Sequence, residues 1–414
     1  MSIRLALNRL AGAGVLLTVS CSPAYADGFD DSIFSLGGFG TLGVVHSSEH
    51  QADFTKSFFQ PNGAGYTRDW SLSVDSLIAA QVTANFTPQL SAVLQLISQQ
   101  NYDNTYFPHV EWADVKYQIT PDLSVRLGRI VLPSFLISEE RNVGYANPWL
   151  RPPVEVYGLI PISSSDGVDA RYRWKIGNVT QTLVATYGSR NPSIPQHGSV
   201  ESRGNWLLAD TLEYGATTLH IAYEESRLSV GYLDELFDAF RQFGPQGNAL
   251  ADRYNLHDKR GTFFGFGGMY EPGDWFAAAE FGSTNLHSVL GKSTGWYVSS
   301  GYRVAKLTPY LTYARATADN LSDPGLNVSS LPPSLAGRAI GLNTGLNAVL
   351  SSKRVQSTIA AGARWDFMRN ADLKLQFDHT RVGSGSTGEL INTQPGFALG
   401  ATVNLFSATF DFVF

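Results

Sequence analysis

The sequence predicts an all-β protein, a transmembrane antiparallel β-barrel of about 16 strands. Three observations lead to this prediction. The chain ends in a segment with one aromatic face, apolar and polar residues alternate with a period of two in many preceding segments, and the connections between these segments are short and long in turn. A period of two is typical of a strand whose two faces meet different surroundings, such as lipid outside a barrel and water inside it.

The closing segment has the clearest alternation. Phe406, Phe410, Phe412 and Phe414 occupy alternate positions, and the residues between positions 406 and 414 on the other face are Ser, Thr, Asp and Val. A lipid-facing strand favours such an aromatic row. A secreted soluble β-sandwich explains the alternation elsewhere in the chain, but it does not explain an aromatic row on the last strand.

The first 26 residues read as a secretory signal peptide. Arg4 and Arg9 precede an apolar stretch, and an Ala-Tyr-Ala site ends at Ala26. The apolar stretch is too short to span a bilayer as a helix. The predicted domains are therefore a signal peptide, residues 1–26, and a barrel, residues 27–414.

Removing the signal peptide defines the composition of the mature chain. The only cysteine, Cys21, lies in the signal, so the mature chain has no disulfides and no cysteine-based metal site. The loss of two arginines and no acidic residue changes the net charge from −6 to −8. This negative charge argues against nucleic-acid binding.

Alternating segments recur along the chain, and their charges fall on the face opposite the apolar residues. The clearest segments are residues 72–86, 112–119, 168–174, 218–224, 358–367 and 373–378. This segregation is expected of a barrel wall, since a basic residue that faces lipid at mid-bilayer costs about 2–4 kcal/mol.

The connections divide into two kinds. Tight turns are expected at residues 87–91, 120–124, 175–178, 271–274 and 369–372. Long polar loops are expected at residues 48–67, 133–166, 189–205, 226–261, 317–354 and 383–397. One loop contains a predicted helix at residues 233–243, which Gly244 and Pro245 should end. Short turns at one rim and long loops at the other are typical of a transmembrane barrel.

The segment 111–174 resembles the trimeric porins of Gram-negative bacteria. It reads EWADVKYQITPDLSVRLGRIVLPSF, then a long loop, then DGVDARYRW. In that family a strand ending in a Gly-Arg pair, here Gly128 and Arg129, precedes a third extracellular loop that folds inward and narrows the pore. The matching loop here is residues 133–166. The resemblance also extends to the C-terminal phenylalanine, which in outer-membrane proteins is part of an assembly signal.

The resemblance implies a function and a location. It implies an outer-membrane porin, surrounded by outer-membrane lipid, that lets small hydrophilic solutes or ions diffuse passively. It further implies a homotrimer that is secreted to the periplasm before insertion. We expect no cofactor, no metal site and no enzymatic activity.

Alternation predicts which charges line the pore. The basic candidates are Lys116, Arg126, Arg171, Arg173, Arg303, Arg364 and Lys374, and the acidic candidates are Asp75, Asp114, Asp169, Glu280, Asp366 and Asp378. The inward loop offers Glu139, Glu140, Arg141, Arg151 and Glu155. A few charges at a constriction decide which solutes pass.

Two expectations concern individual positions in this set. We expect Arg126, Arg171 and Arg173 to form a basic patch that faces the acidic residues of the loop, including Glu155. Strict alternation from Arg126 places Arg129 toward lipid, whereas the resemblance places it in the lumen. A β-bulge at Gly128 would reconcile the two.

Two alternative functions remain open. A substrate-specific porin for an anion or a small organic solute would use the arginines as its binding residues. An outer-membrane barrel enzyme, a lipase or protease, would need a Ser or Asp and a His that converge at the rim. The available pairs, His379 with Asp378 and His220 with Glu224, are loose candidates, because adjacent strand residues point to opposite faces.

Overall fold

The structure, a computed structural model, describes residues 33–195 and 198–414. It is a closed antiparallel barrel of 16 strands, as the sequence predicts. The predicted signal peptide lies outside the described residues. Numbered β1 to β16, the strands are Phe34–Ser47, Leu77–Asn85, Leu90–Gln99, His109–Gln118, Leu123–Val131, Ser164–Ile176, Val179–Arg190, Gly198–Tyr214, Thr217–Val230, Lys259–Tyr270, Trp275–Leu286, Gly291–Tyr302, Leu307–Ala318, Gln356–Met368, Ala371–Val382 and Thr402–Val413.

Short strands lie at the rim with the long connections. Trp70–Ser71 and Ser193–Ile194 extend the barrel sheet, and Asp53–Phe54 pairs with Ala64–Gly65 as a separate two-stranded sheet. Each barrel strand otherwise pairs with the strands that precede and follow it in the sequence. Among the barrel strands that the structure describes, this up-and-down order leaves no unpaired sheet edge.

The barrel closes between β1 and β16, and glycines make the closure possible. Phe412 is the register partner of Gly40, and Phe414 exchanges backbone hydrogen bonds of 2.9 and 3.0 Å with Gly38. The two phenylalanine rings occupy the space that a Cβ would fill at these glycines. Aromatic rings that cover cross-strand glycines therefore stabilise the closure.

We expect Gly40→Ala to destabilise the barrel by about 1–3 kcal/mol, because the new Cβ overlaps the Phe412 ring. The control is Gly37→Ala, whose Cβ would meet the Phe414 carbonyl oxygen at an ordinary 3.4 Å. Urea unfolding of the folded barrel, followed by the heat-dependent gel shift, measures both variants. Equal midpoints for the two variants would contradict this account of the closure.

The outer face of the barrel is apolar, as the alternation predicts. On the closing strand Phe406 is 58% exposed, whereas its inward neighbour Leu405 is 2% exposed. Leu42, Leu127 and Leu375 are exposed on other strands in the same way. Within residues 33–195 and 198–414, no helix is long and apolar enough to cross a membrane.

Short and long connections lie at opposite rims. The structure corrects one predicted loop, residues 189–205, because β8 already begins at Gly198. Here the first residues of β8 are mostly polar on both faces, so the alternation that marks the other strands is missing. A strand segment that extends beyond the apolar outer band of the barrel needs no apolar face.

The helices lie in the long connections, and the sequence prediction is only partly right. A 3-10 turn, Gly231–Leu233, leads into α2, Asp234–Arg241, within the predicted range. At Gly244 a second helix, α3, begins and runs to Tyr254. Three helices were not predicted: α3, which begins where the predicted helix should end, α1, Val154–Tyr157, and α4, Pro333–Ser351.

The prediction fails for α4 because tertiary packing outweighs its low helix propensity. Three glycines lie inside it, each of which costs roughly 1 kcal/mol relative to alanine. Leu346 and Leu350 are buried in a core with Phe237, Phe240 and Leu250 from α2 and α3. This helical cap lies over the rim of β9 to β14.

Candidate functional site: the inward loop and the lumen

The connection between β5 and β6, residues 132–163, lies inside the barrel. Its Phe135, Trp149 and Tyr157 are nearly fully buried, and they join one apolar core with inward side chains of the wall. The wall residues are Leu207, Ala209, Ala222, Phe263, Phe276, Ala278, Tyr297, Tyr310 and Ala314. The loop therefore fills the part of the lumen next to β8 to β13.

A row of small residues makes room for the loop. Consecutive register partners across β8 to β13 are Ala209, Ala222, Gly265, Gly282, Gly295 and Ala316. A Cβ on Gly295 would overlap the Glu155 carbonyl, and one on Gly282 would lie 2.9 Å from Leu159 Cδ1. The wall thus matches the loop in shape. The many glycines between positions 261 and 301 are the sequence signal for this row, but the sequence does not give their register.

Arg151 is the main polar contact between the loop and the wall. Its guanidinium donates to both carboxylate oxygens of Asp75, at 3.0 and 2.7 Å, and to Asp378 at 3.1 Å. It also donates to Ser407 Oγ at 2.7 Å. All three charged side chains are buried. The loop is therefore fixed to β15, β16 and the connection that precedes β2.

Two further cations hold the middle of the loop. Lys374 donates to the Gly144 carbonyl at 2.6 Å and pairs with Asp411 at 3.0 Å. Arg364 donates to the carbonyls of Tyr145 and Asn147 at 2.7 and 3.0 Å, and it also pairs with Asp366 and Asp372. Lys374 and Arg364 face the lumen, as alternation places them, but the loop covers them.

Acidic residues anchor the loop to the remaining wall. Glu280 accepts hydrogen bonds from the Leu136 amide at 2.7 Å and from the Tyr157 hydroxyl at 2.8 Å. Glu155 is buried and accepts from Gln356 at 2.7 Å and from Thr358. Glu155 therefore faces β14, and the structure separates it from the arginines of β5 and β6.

The arginines of β5 and β6 form a charged wall on the opposite side. Arg126 pairs with Asp169, Arg171 pairs with Glu139 of the loop, and Arg173 lies 3.3 Å from Glu213. On β4, Asp114 and Lys116 share the inward face with them. This wall combines both signs of charge rather than a purely basic patch.

Two predicted residues lie away from this wall. The register of β5 with both neighbours continues through Gly128 without a bulge, so the placement of Arg129 toward lipid by alternation is the correct one. Arg129 shares the face of the exposed Leu127 and pairs with Asp166 at 2.6 Å. Arg303 lies in the turn after β12, where it donates to the Gly273 carbonyl at 3.4 Å.

A cavity of about 510 Å³ opens between the loop and the strands on the β1 to β4 side. Polar side chains line it, including Gln99, Gln100, Glu111, Lys56 and Arg141. Asp75 and Arg151, which pair with each other, also border it. Among the described residues, neither Lys56 nor Arg141 has a carboxylate within ion-pair distance. Sequence alternation does not identify Lys56, because this residue lies in a long loop outside the alternating strands.

Glu140 gives the loop a titratable group near neutral pH. Burial, with a smaller effect from the Glu139 charge, raises the pKa of Glu140 to about 7. The carboxyl is therefore mostly neutral at about pH 6 and mostly charged at about pH 8.

No metal-binding group of three or more His, Asp, Glu or Cys side chains occurs in the part of the chain that the structure describes.

We expect any ion current through the lumen to become less cation-selective as the pH falls from about 8 to about 6, because Glu140 loses its negative charge. Reversal potentials in a salt gradient measure this change. Glu140→Gln should remove most of the pH dependence and keep the low-pH selectivity throughout. The same pH dependence in Glu140→Gln would show that another group titrates.

Comparisons with known proteins identify the fold. No protein-family model matches the chain, and a search of curated proteins found no similar sequence. The anion-selective porin of Comamonas acidovorans is 12% identical, with a TM-score of 0.55, over 92% of this chain and 99% of that one. The outer membrane channel DcaP of Acinetobacter baumannii is 12% identical, with a TM-score of 0.56, over 92% and 97%.

A third solved structure is OmpT, an outer membrane protein of Vibrio cholerae, in its trimer form. It is 12% identical, with a TM-score of 0.52, over 92% of this chain and 99% of that one. Each likeness covers nearly the whole of both chains, so it concerns the complete barrel. The chain therefore has the 16-strand barrel fold of outer-membrane porins, with its third long connection folded into the lumen.

Proposed function

We propose that the protein is an outer-membrane porin through which small hydrophilic solutes or ions diffuse passively. One observation carries the proposal: the inward loop packs against β8 to β16 and leaves a cavity of about 510 Å³, which side chains of both charges border, among them Lys56, Glu111 and Arg141. Charges on both sides of a narrow, polar passage concentrate the electric field and sort solutes by charge. The solutes would pass between the loop and the strands β1 to β7.

Single-channel recording in a planar bilayer tests this function. We expect stepwise, ohmic currents that persist without any added cofactor. Swelling of protein-containing liposomes in small sugars should agree with the currents. A folded barrel that gives neither current nor swelling would refute the proposal.

The polar contacts favour a channel over a barrel enzyme. Ser134 donates to Glu224 at 2.9 Å, and the neighbouring His220 contacts the Pro133 carbonyl and Thr211, each at 3.0 Å. A serine nucleophile needs the histidine between itself and the acid, in the order of a catalytic triad. Ser134, His220 and Glu224 instead hold the loop against β9. His379 contacts Asn404 at 2.8 Å on the outer face.

A second candidate function is a porin selective for small organic anions. Lys56 and Arg141 favour it, because both cations border the cavity without a carboxylate partner among residues 33–195 and 198–414. Burial also lowers the pKa of Lys56, so a bound anion would stabilise its charged form. Liposome uptake of a small carboxylate, compared with an uncharged solute of similar size, separates this function from unselective diffusion.

We also propose a homotrimer. The trimer form named for the V. cholerae protein supports this assembly, since the likeness covers both chains almost completely. Native mass spectrometry of the detergent-purified protein tests it, with three copies as the expected mass. A predominantly monomeric mass in several mild detergents would contradict it.

A further inference from the structure

Two groups of arginines lie on the outer face of the barrel at the rim with the long connections, one on β8 to β10 and one on β13 and β15. On β8 to β10 they are paired: Arg227 lies 2.6 Å from Asp258, Arg260 lies 2.6 Å from Glu225, and Arg203 pairs with Glu201. On β13 and β15, Arg315 and Arg381 are exposed and make no ion pair with any residue that the structure describes. The second group thus has a net positive charge.

The strand register places Arg315 and Arg381 around one small residue. Arg315 on β13 and Arg381 on β15 are both register partners of Ser357 on β14. Strands are about 4.8 Å apart, so the two arginine Cα atoms are separated by roughly 10 Å. Two flexible side chains of this length reach one group placed above Ser357. No carboxylate faces outward on β12 to β16 at this level.

Aromatic residues show that these arginines lie at the edge of the lipid-facing band. Trp296 is the register partner of Arg315, and its ring lies 5.4 Å from that of Tyr313 on the outer face. Trp and Tyr gather where a membrane's hydrocarbon meets its headgroups. On the side of Arg315 toward the short turns, Leu311 is exposed and apolar. The guanidinium groups therefore lie at headgroup level.

We propose that Arg315 and Arg381, on either side of Ser357, form a binding site for a phosphate monoester on an anionic lipid headgroup. Guanidinium groups bind phosphate through pairs of parallel hydrogen bonds, and they favour anionic membrane surfaces. Charge complementarity selects this occupant, because the site holds two cations and no acid. The proposal rests on the membrane placement of the proposed porin, and it assigns the site to the leaflet at the long-loop rim.

The test uses the folded chain in phosphatidylcholine nanodiscs that contain a glycolipid with two phosphate monoesters, or its dephosphorylated counterpart. Native mass spectrometry counts the glycolipids retained on the protein. Arg315→Gln with Arg381→Gln should weaken binding of the phosphorylated glycolipid by about tenfold or more, since each arginine near an anionic surface contributes roughly a factor of five. Arg315→Lys with Arg381→Lys should bind the phosphorylated glycolipid more weakly than the wild type but more tightly than the double Gln variant, because lysine keeps the charge and lacks the paired donors.

The matched control is Arg227→Gln with Arg260→Gln, which removes two exposed arginines that already have acidic partners. Its binding should stay within about twofold of the wild type. Equal retention in the Arg315 and Arg381 variant, or equal retention of the dephosphorylated glycolipid, would overturn the site. Channel currents should be unchanged in every variant. If the wild-type protein carries no current, the proposed porin function is wrong. The lipid site is tested separately, by the number of glycolipids that stay bound to the protein.

Discussion

Arg151→Ala is expected to free the inward loop from the wall and to raise the single-channel conductance. The substitution leaves Asp75 and Asp378 buried without their cation. Breaking a buried ion pair on one side costs about 3–5 kcal/mol, which exceeds the cost of losing most single surface contacts. The loop should then move away from β15 and β16, and its motion should add noise to the open-channel current.

The control for this variant is Arg227→Ala, since Arg227 forms an exposed pair with Asp258 at 2.6 Å. Exposed pairs contribute little, so its conductance and stability should match the wild type. Arg151→Ala with Asp378→Asn removes one of the orphaned charges and should recover part of the lost stability. An assembled Arg151→Ala barrel with unchanged conductance would show that the loop position does not limit the pore.

Lys56→Gln combined with Arg141→Gln is expected to shift permeability strongly toward cations. Neither side chain has a carboxylate partner within residues 33–195 and 198–414, so neutralising both removes two positive charges beside the cavity and leaves no acid unpaired. Folding should therefore change little. The selectivity change should be largest at low salt, where the Debye length is about 30 Å at 0.01 M.

Arg171→Gln provides the comparison. It removes one positive charge but also releases Glu139, its partner, so charge loss and loop contact change together. Reversal potentials in a salt gradient, at low and at high salt, measure both variants. If the Lys56 and Arg141 variant keeps the wild-type reversal potential at low salt, the cavity is not on the path that ions take.

Local patterns were enough to predict the barrel. The row from Phe406 to Phe414 and the alternation on the other strands depend on residues two positions apart, so the sequence displays them directly. The inward loop followed from a resemblance around Gly128 and Arg129. The contacts that fix the loop could not be predicted in this way, because Arg151 binds Asp75 and Asp378, which lie in distant parts of the sequence.

The candidate charges show the difference between facing the lumen and lining an open path. Alternation placed Arg364 and Lys374 inside the barrel, but only the structure shows that the backbone of residues 144–147 covers them. Glu155 was expected opposite the arginines of β6 and instead contacts Thr358 on β14. The row of Gly265, Gly282 and Gly295 depends on strand register, which composition does not reveal.

The central claim is that solutes pass between the inward loop and the β1 to β7 wall, while the loop occupies the opposite side. The predicted mature chain has no cysteine, so single cysteines report on single positions. Gln99→Cys lies on the cavity wall, and Ser299→Cys lies behind the loop, where the Trp149 indole donates to Ser299 at 2.7 Å. A charged thiol reagent added during single-channel recording should reduce the current through Gln99→Cys and leave Ser299→Cys unaffected. Block of Ser299→Cys with no effect on Gln99→Cys would place the path on the other side of the loop and contradict the account.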